Sequence, residues 1–134
     1  MIYNLFEIER ISTTIGFPCT VQVSDQRALV VLREQVTLCF QNSDHEGDCF
    51  VAFLGTPWHT HDALIFSGQE GRYVDVQPYE LLPLLAEGRV LVKEEWQDGQ
   101  IVDRSLIHAD YNDELKYIDS GEELRIYRAV LGSR

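Results

Sequence analysis

The chain has 134 residues, 45% of them hydrophobic, with 11 Lys and Arg against 22 Asp and Glu, a net charge of −11. That size and apolar content suit one folded domain over residues 1–134, able to bury a core without a metal or disulfide, and argue against disorder. The charge excludes direct nucleic-acid binding, which needs clustered Lys and Arg to displace counterions, disfavours anionic membranes, and attracts a basic partner.

The acidity is not held in a tail. Residues 1–67 carry 3 basic and 8 acidic side chains, and residues 68–134 carry 8 and 14. The N-terminal segment has no basic start or apolar run of signal-peptide length. No apolar stretch approaches the roughly 20 residues a membrane span needs. A cytoplasmic protein is expected. Cys19, Cys39 and Cys49 make an odd count without a C-x-x-C, so buried free thiols are expected, not a disulfide framework.

Asn4 followed by Glu7 fits an N-cap with a reaching acid, predicting a short helix over 4–12 with Leu5, Ile8 and Ser12 on one face. From Phe17 the period changes to two. Residues 19–24, 28–32 and 36–41 read as strands, and the apolar run 49–54 as a central one. Residues 43–47 signal a hairpin loop between the last two. Residues 63–66 and 73–76 are shorter strand candidates around the turn-like segment 67–71.

Pro78 and Gly88 bracket a helical segment, and Pro83 splits it into a turn over 78–81 and a helix over 82–87. Residues 89–97 and 100–108 flank Asp98-Gly99, a strong hairpin cue. A two-residue loop places Trp96 opposite Ile101, Val92 opposite Ser105 and Val90 opposite Ile107. It also sets Glu94 against Asp103 and Lys93 against Arg104, which is unfavourable. Either the register shifts or other groups satisfy those charges. Residues 110–119 read as a loop or short helix, and 124–131 as a final strand. The expected fold is α+β: a mostly antiparallel, curved sheet of about eight strands with one or two short helices.

Three constellations carry possible chemistry. In an extended segment His59 and His61 project to one side. With His108 and Asp110 they offer three imidazoles and a carboxylate, a donor set for Zn or Fe in a small metal-dependent enzyme. The H-x-H after Gly55 resembles the first half of a cupin metal motif. It departs from that motif in having only three residues between Gly55 and His59 and no second histidine motif. Glu94 and Asp103 form a possible carboxylate pair if the simple hairpin register holds. The third is a surface. Asp110, Asp113, Glu114, Asp119, Glu122 and Glu123 fall within fourteen residues, interleaved with Tyr111 and Tyr117.

Acids steer a basic partner, and tyrosines supply contact area at low entropic cost. The leading expectation is therefore a non-enzymatic binding protein for a basic protein, with no cofactor. An immunity protein or antitoxin facing a basic toxin has this logic. A small-ligand pocket near Trp58 and Trp96 is the remaining alternative. Nucleophilic catalysis finds no G-x-S-x-G elbow, and no phosphate-binding glycine loop is present.

Overall fold

Helix α1 covers Phe6–Ile15 in the computed structural model, which describes residues 3–43, 48–113 and 122–129. The helix buries Leu5, Ile8 and Ser12 on the face that their spacing predicts, and the Ser12 hydroxyl donates to the Glu9 carbonyl. It runs three residues beyond the expected end because Gly16 terminates it. Gly16 takes a φ of 68°, and the amides of Gly16 and Phe17 return to the carbonyls of Thr13 and Ser12. The expected capping box does not form. Glu7 instead pairs with Arg10 at 2.7 Å.

Five strands follow in antiparallel order: β1 (Thr20–Val23), β2 (Arg27–Arg33), β3 (Val36–Asn42), β4 (Cys49–Phe53) and β5 (His59–His61). Alternation puts Ala28, Val30, Leu38, Phe40, Val51 and Phe53 inward, each at most 2% exposed. Of the loop expected at 43–47, only Ser43 lies among the described residues.

The chain then leaves this sheet. Asp62 adopts a φ of 55°, and its backbone N–H and side-chain oxygen bind the Cys49 backbone. That sharp turn aims β6 (Leu64–Ser67) away, so it pairs only with β7 (Tyr73–Val76). A third sheet has the order β10-β8-β9, built from β8 (Val90–Gln97), β9 (Gln100–His108) and β10 (Glu122–Tyr127). The fold class is α+β with antiparallel sheets and two helices, as expected. The single curved sheet is corrected to three separate ones among the described residues.

Helix α2 covers Leu81–Glu87 after a 3-10 turn at Pro78–Glu80. Pro83 does not interrupt it because it occupies the first turn, where backbone N–H groups have no partner within the helix. Gly88 closes α2 with a φ of 76°. Helix α1 packs on α2 and β1, and α2 also meets β8. Leu81, Leu82 and Leu85 thereby join Val90 and Val92 in the core. No helix among the described residues is long and apolar enough to cross a membrane.

The β8–β9 hairpin turns on Asp98 and Gly99 with φ values of 54° and 79°, the left-handed pair a two-residue loop requires. Trp96 faces Ile101 as expected, but Glu95 faces Asp103, so Val102 is an extra residue in β9. This bulge corrects the rest of the register. Val92 faces Leu106, and Val90 faces His108. Glu94 faces Arg104 instead of Asp103, and a like-charge clash becomes an ion pair at 3.0 Å. The Glu94–Asp103 carboxylate pair is not formed. Asp103 accepts instead from the backbone N–H of Trp58 and of Arg104.

Candidate binding groove

The outer face of the β6–β7 ribbon exposes two large hydrophobic side chains to solvent. Leu64, Phe66 and Val76 point inward, which turns Ile65, Ser67, Tyr73 and Asp75 outward. Ile65 and Tyr73 are each 65% exposed. The connecting turn is tight. Glu70 and Gly71 have φ values of 60° and 72°, and the Gly68 amide donates to the Arg72 carbonyl at 2.7 Å. A cavity of about 940 Å³ opens over this ribbon, lined by Ile65, Glu70, Tyr73, Asp75 and Asp113 among others.

A buried histidine folds the segment after β9 against that turn. His108 is 3% exposed, with its ring near Phe66 and Tyr111. Its Nδ1 accepts the backbone N–H groups of Asp110 at 3.0 Å and Tyr111 at 3.3 Å. The proton therefore sits on Nε2 in the neutral ring. Asn112 donates its amide to the Ala109 carbonyl at 2.8 Å. Tyr111 then covers Gly68 so closely that a Cβ there would come within 2.9 Å of the tyrosine ring. Residues 68–72 and 110–113 thus form two facing walls.

Burial pushes the His108 imidazole below its usual value, with Asp110 opposing and Arg89 assisting. The folded state therefore binds fewer protons than the unfolded state once pH drops below about 6.5. Stability is fully present above that value and declines as pH falls through the lowered folded value. His108→Gln keeps an acceptor and removes the titration. Urea midpoints measured from pH 7 to pH 5 are expected to fall more steeply for the wild type than for the variant.

The sequence-predicted partner surface is only partly assembled. Asp110, Tyr111 and Asp113 stand together on the cleft wall. Glu114, Tyr117 and Asp119 lie outside the described residues. Glu122 and Glu123 open β10 beside Gln97 and Trp96, at the hairpin-tip end of the third sheet. Asp110 follows the opposite end, where His108 faces Val90. The length of β8 separates the two groups, on the order of 20 Å. What sequence proximity missed is the ribbon: Ile65, Glu70, Tyr73 and Asp75. Outward apolar positions in two short alternating strands were the available signal.

The metal set is dispersed. His59 and His61 share one face of β5 across Phe50, with rings 5.5 Å apart. His59 Nδ1 lies 3.1 Å from the Pro57 carbonyl, and His61 Nδ1 lies 2.7 Å from Asp48. Asp110 belongs to the cleft wall instead, and His108 is buried behind it. Among the described residues no three or more His, Cys, Asp or Glu side chains are grouped to hold a metal. The two tryptophans are differently employed. Trp58 lines a cavity of about 220 Å³ beside Leu64 and Leu106, whereas Trp96 lies under the Arg125 guanidinium at 4.0 Å.

The three thiols are free, with Cys39 and Cys49 buried. Burial pushes all three up, Cys49 to about 12, so they are protonated and weakly nucleophilic at neutral pH. A second polar cluster is also interior. Glu94, 6% exposed, accepts from Trp96, Arg104 and Tyr127. Trp96, Arg104 and Tyr127 each direct a donor at the carboxylate, which marks it as a structural network. Compared with models of known families, with curated proteins and with solved structures, the chain matches none.

Proposed function

We propose that this protein is a non-enzymatic binding protein whose acidic, tyrosine-bearing face receives a basic segment of a protein partner. The observation that carries this is the ribbon groove. Two large side chains, Ile65 and Tyr73, stand 65% exposed beside Glu70, Asp75 and Asp113. Apolar contact area edged by three carboxylates, with Arg72 the one cation in the lining, is the composition of a recognition surface. The acids favour lysine and arginine, and Ile65 and Tyr73 favour the aliphatic stems of those residues. Asp110 and Tyr111 extend the face. Glu114, Asp119, Glu122 and Glu123 add acidity farther along the chain, and Tyr117 adds contact area. An immunity protein or antitoxin would follow this charge logic, since a toxin that grips nucleic acid must itself be basic.

Affinity capture from the source cell, repeated with the purified captured protein, tests this reading. A basic partner is expected, bound less tightly as salt rises because exposed charges are screened. Tyr73→Ala is expected to weaken binding by about tenfold or more, an effect of the size of an interface anchor. An acidic partner, or one indifferent to both salt and Tyr73, refutes the proposal.

A further inference from the structure

The cleft beside the 110–113 loop carries two arginines that the partner reading does not use. Arg72 and Arg89 both line a cleft of about 800 Å³ with Gln69, Asp110, Tyr111 and Asn112. Both are exposed, and among the described residues neither guanidinium makes a hydrogen bond or ion pair. Arg27, on β2, is the other described arginine whose guanidinium has no such partner. Arg10, Arg104 and Arg125 pair with carboxylates, and Arg33 and Arg128 donate to backbone carbonyls. The Asp110 carboxylate shares the same cleft and also accepts no hydrogen bond among the described residues. Arg72, Arg89 and Asp110 therefore line one concavity with no direct hydrogen bond or ion pair joining them among the described residues.

Their backbones are held in place. The Arg72 amide donates to the Gln69 carbonyl, the Arg89 amide to Leu84, and the Arg89 carbonyl accepts from Ala109. Asp110 is fixed through its amide to buried His108. A guanidinium presents a planar fork of N–H donors that fits an oxyanion through two parallel hydrogen bonds. A carboxylate facing it across a cleft suits an ammonium and repels a polyanion.

We infer that this cleft binds a small zwitterion, its oxyanion held by Arg72 and Arg89 and its ammonium by Asp110. The oxyanion is a phosphoryl or carboxyl group, since both match the guanidinium fork. The inference does not rest on the partner reading. The two cavities share Gly68, Gln69, Arg72 and Asp113, and the proposed partner face also takes in Asp110 and Tyr111, but Arg89 lines only the cleft and Tyr73 only the groove.

Titration of the 15N-labelled protein with phosphoethanolamine, γ-aminobutyrate and inorganic phosphate decides it. One of the two zwitterions is expected to saturate, with amide shifts centred on residues 68–72, 89 and 110–113. The tighter of the two identifies the oxyanion. Arg89→Ala and Asp110→Asn are each expected to weaken that binding by about tenfold or more, the loss of one charged hydrogen-bonding partner. Tyr73→Ala is expected to leave it unchanged. Absence of saturation by roughly 10 mM, well beyond a millimolar affinity, overturns the inference. So does binding of inorganic phosphate as tight as that of the better zwitterion, or binding indifferent to Arg89→Ala.

Discussion

Glu94→Ala is expected to lower the unfolding free energy by about 3–5 kcal/mol, the cost of leaving one member of a buried ion pair without its partner. The carboxylate is 6% exposed and Arg104 is 9% exposed, so water cannot readily replace what is removed. Three donors lose their acceptor at once: Trp96 Nε1, Arg104 Nε and the Tyr127 hydroxyl. Urea unfolding at pH 7, followed by tryptophan fluorescence, measures the loss. A change below about 1 kcal/mol would put Glu94 in the class of solvated surface pairs.

The same network sets a pH dependence. Burial raises the Glu94 carboxyl, but the hydrogen bonds from Tyr127, Trp96 and Arg104 outweigh it, and the group ends below its usual value. Its contribution is present above the ordinary carboxylate range and lost as pH falls through the lowered folded value. Burial and the bond to Glu94 push the Tyr127 phenol to about 12. Its contribution is full below about 10, where an unfolded tyrosine titrates, and is lost as pH rises from there through the folded value.

Phe40→Ala carries the other large effect. Phe40 is fully buried on the central strand β3, opposite Ala28 of β2 and Val51 of β4. Truncation removes a ring from a close-packed interior and leaves a cavity, at a cost of about 3–5 kcal/mol. Domains of this size are stable by only about 5–15 kcal/mol, so the variant should unfold at a much lower urea midpoint. Phe6→Ala is the control. Phe6 is 49% exposed on α1, and its loss should move the midpoint by about 0.5 kcal/mol or less. Equal effects of the two variants would contradict the burial pattern described for α1 and β3.

Strand periodicity was legible because alternation is a local property. Val30 and Leu32, or Leu38 and Phe40, announce their face two residues apart. The Asp98-Gly99 turn was legible for the same reason, since its φ values belong to those two residues. Strand β5 was not, because three polar residues carry no apolar rhythm. The Val102 bulge was not, although the charge conflict around Glu94 indicated that the simple register had to give way. Only the presence of Arg104 on the facing strand determined how.

The candidate site divides along the same line. Composition alone determined the acidity, because net charge is a sum that needs no coordinates. It did not determine where the charges meet. The acids of residues 110–123 are neighbours in the chain, yet β9, β8 and β10 carry Asp110 and Glu122 to opposite ends of a sheet. Asp75 and Asp113 are distant in the chain, yet they line one groove. Backbone pairing between strands sets such distances, and a strand's own residues do not specify its neighbours. The groove of Ile65 and Tyr73, and the cleft of Arg72 and Arg89, therefore belong to the tertiary structure alone.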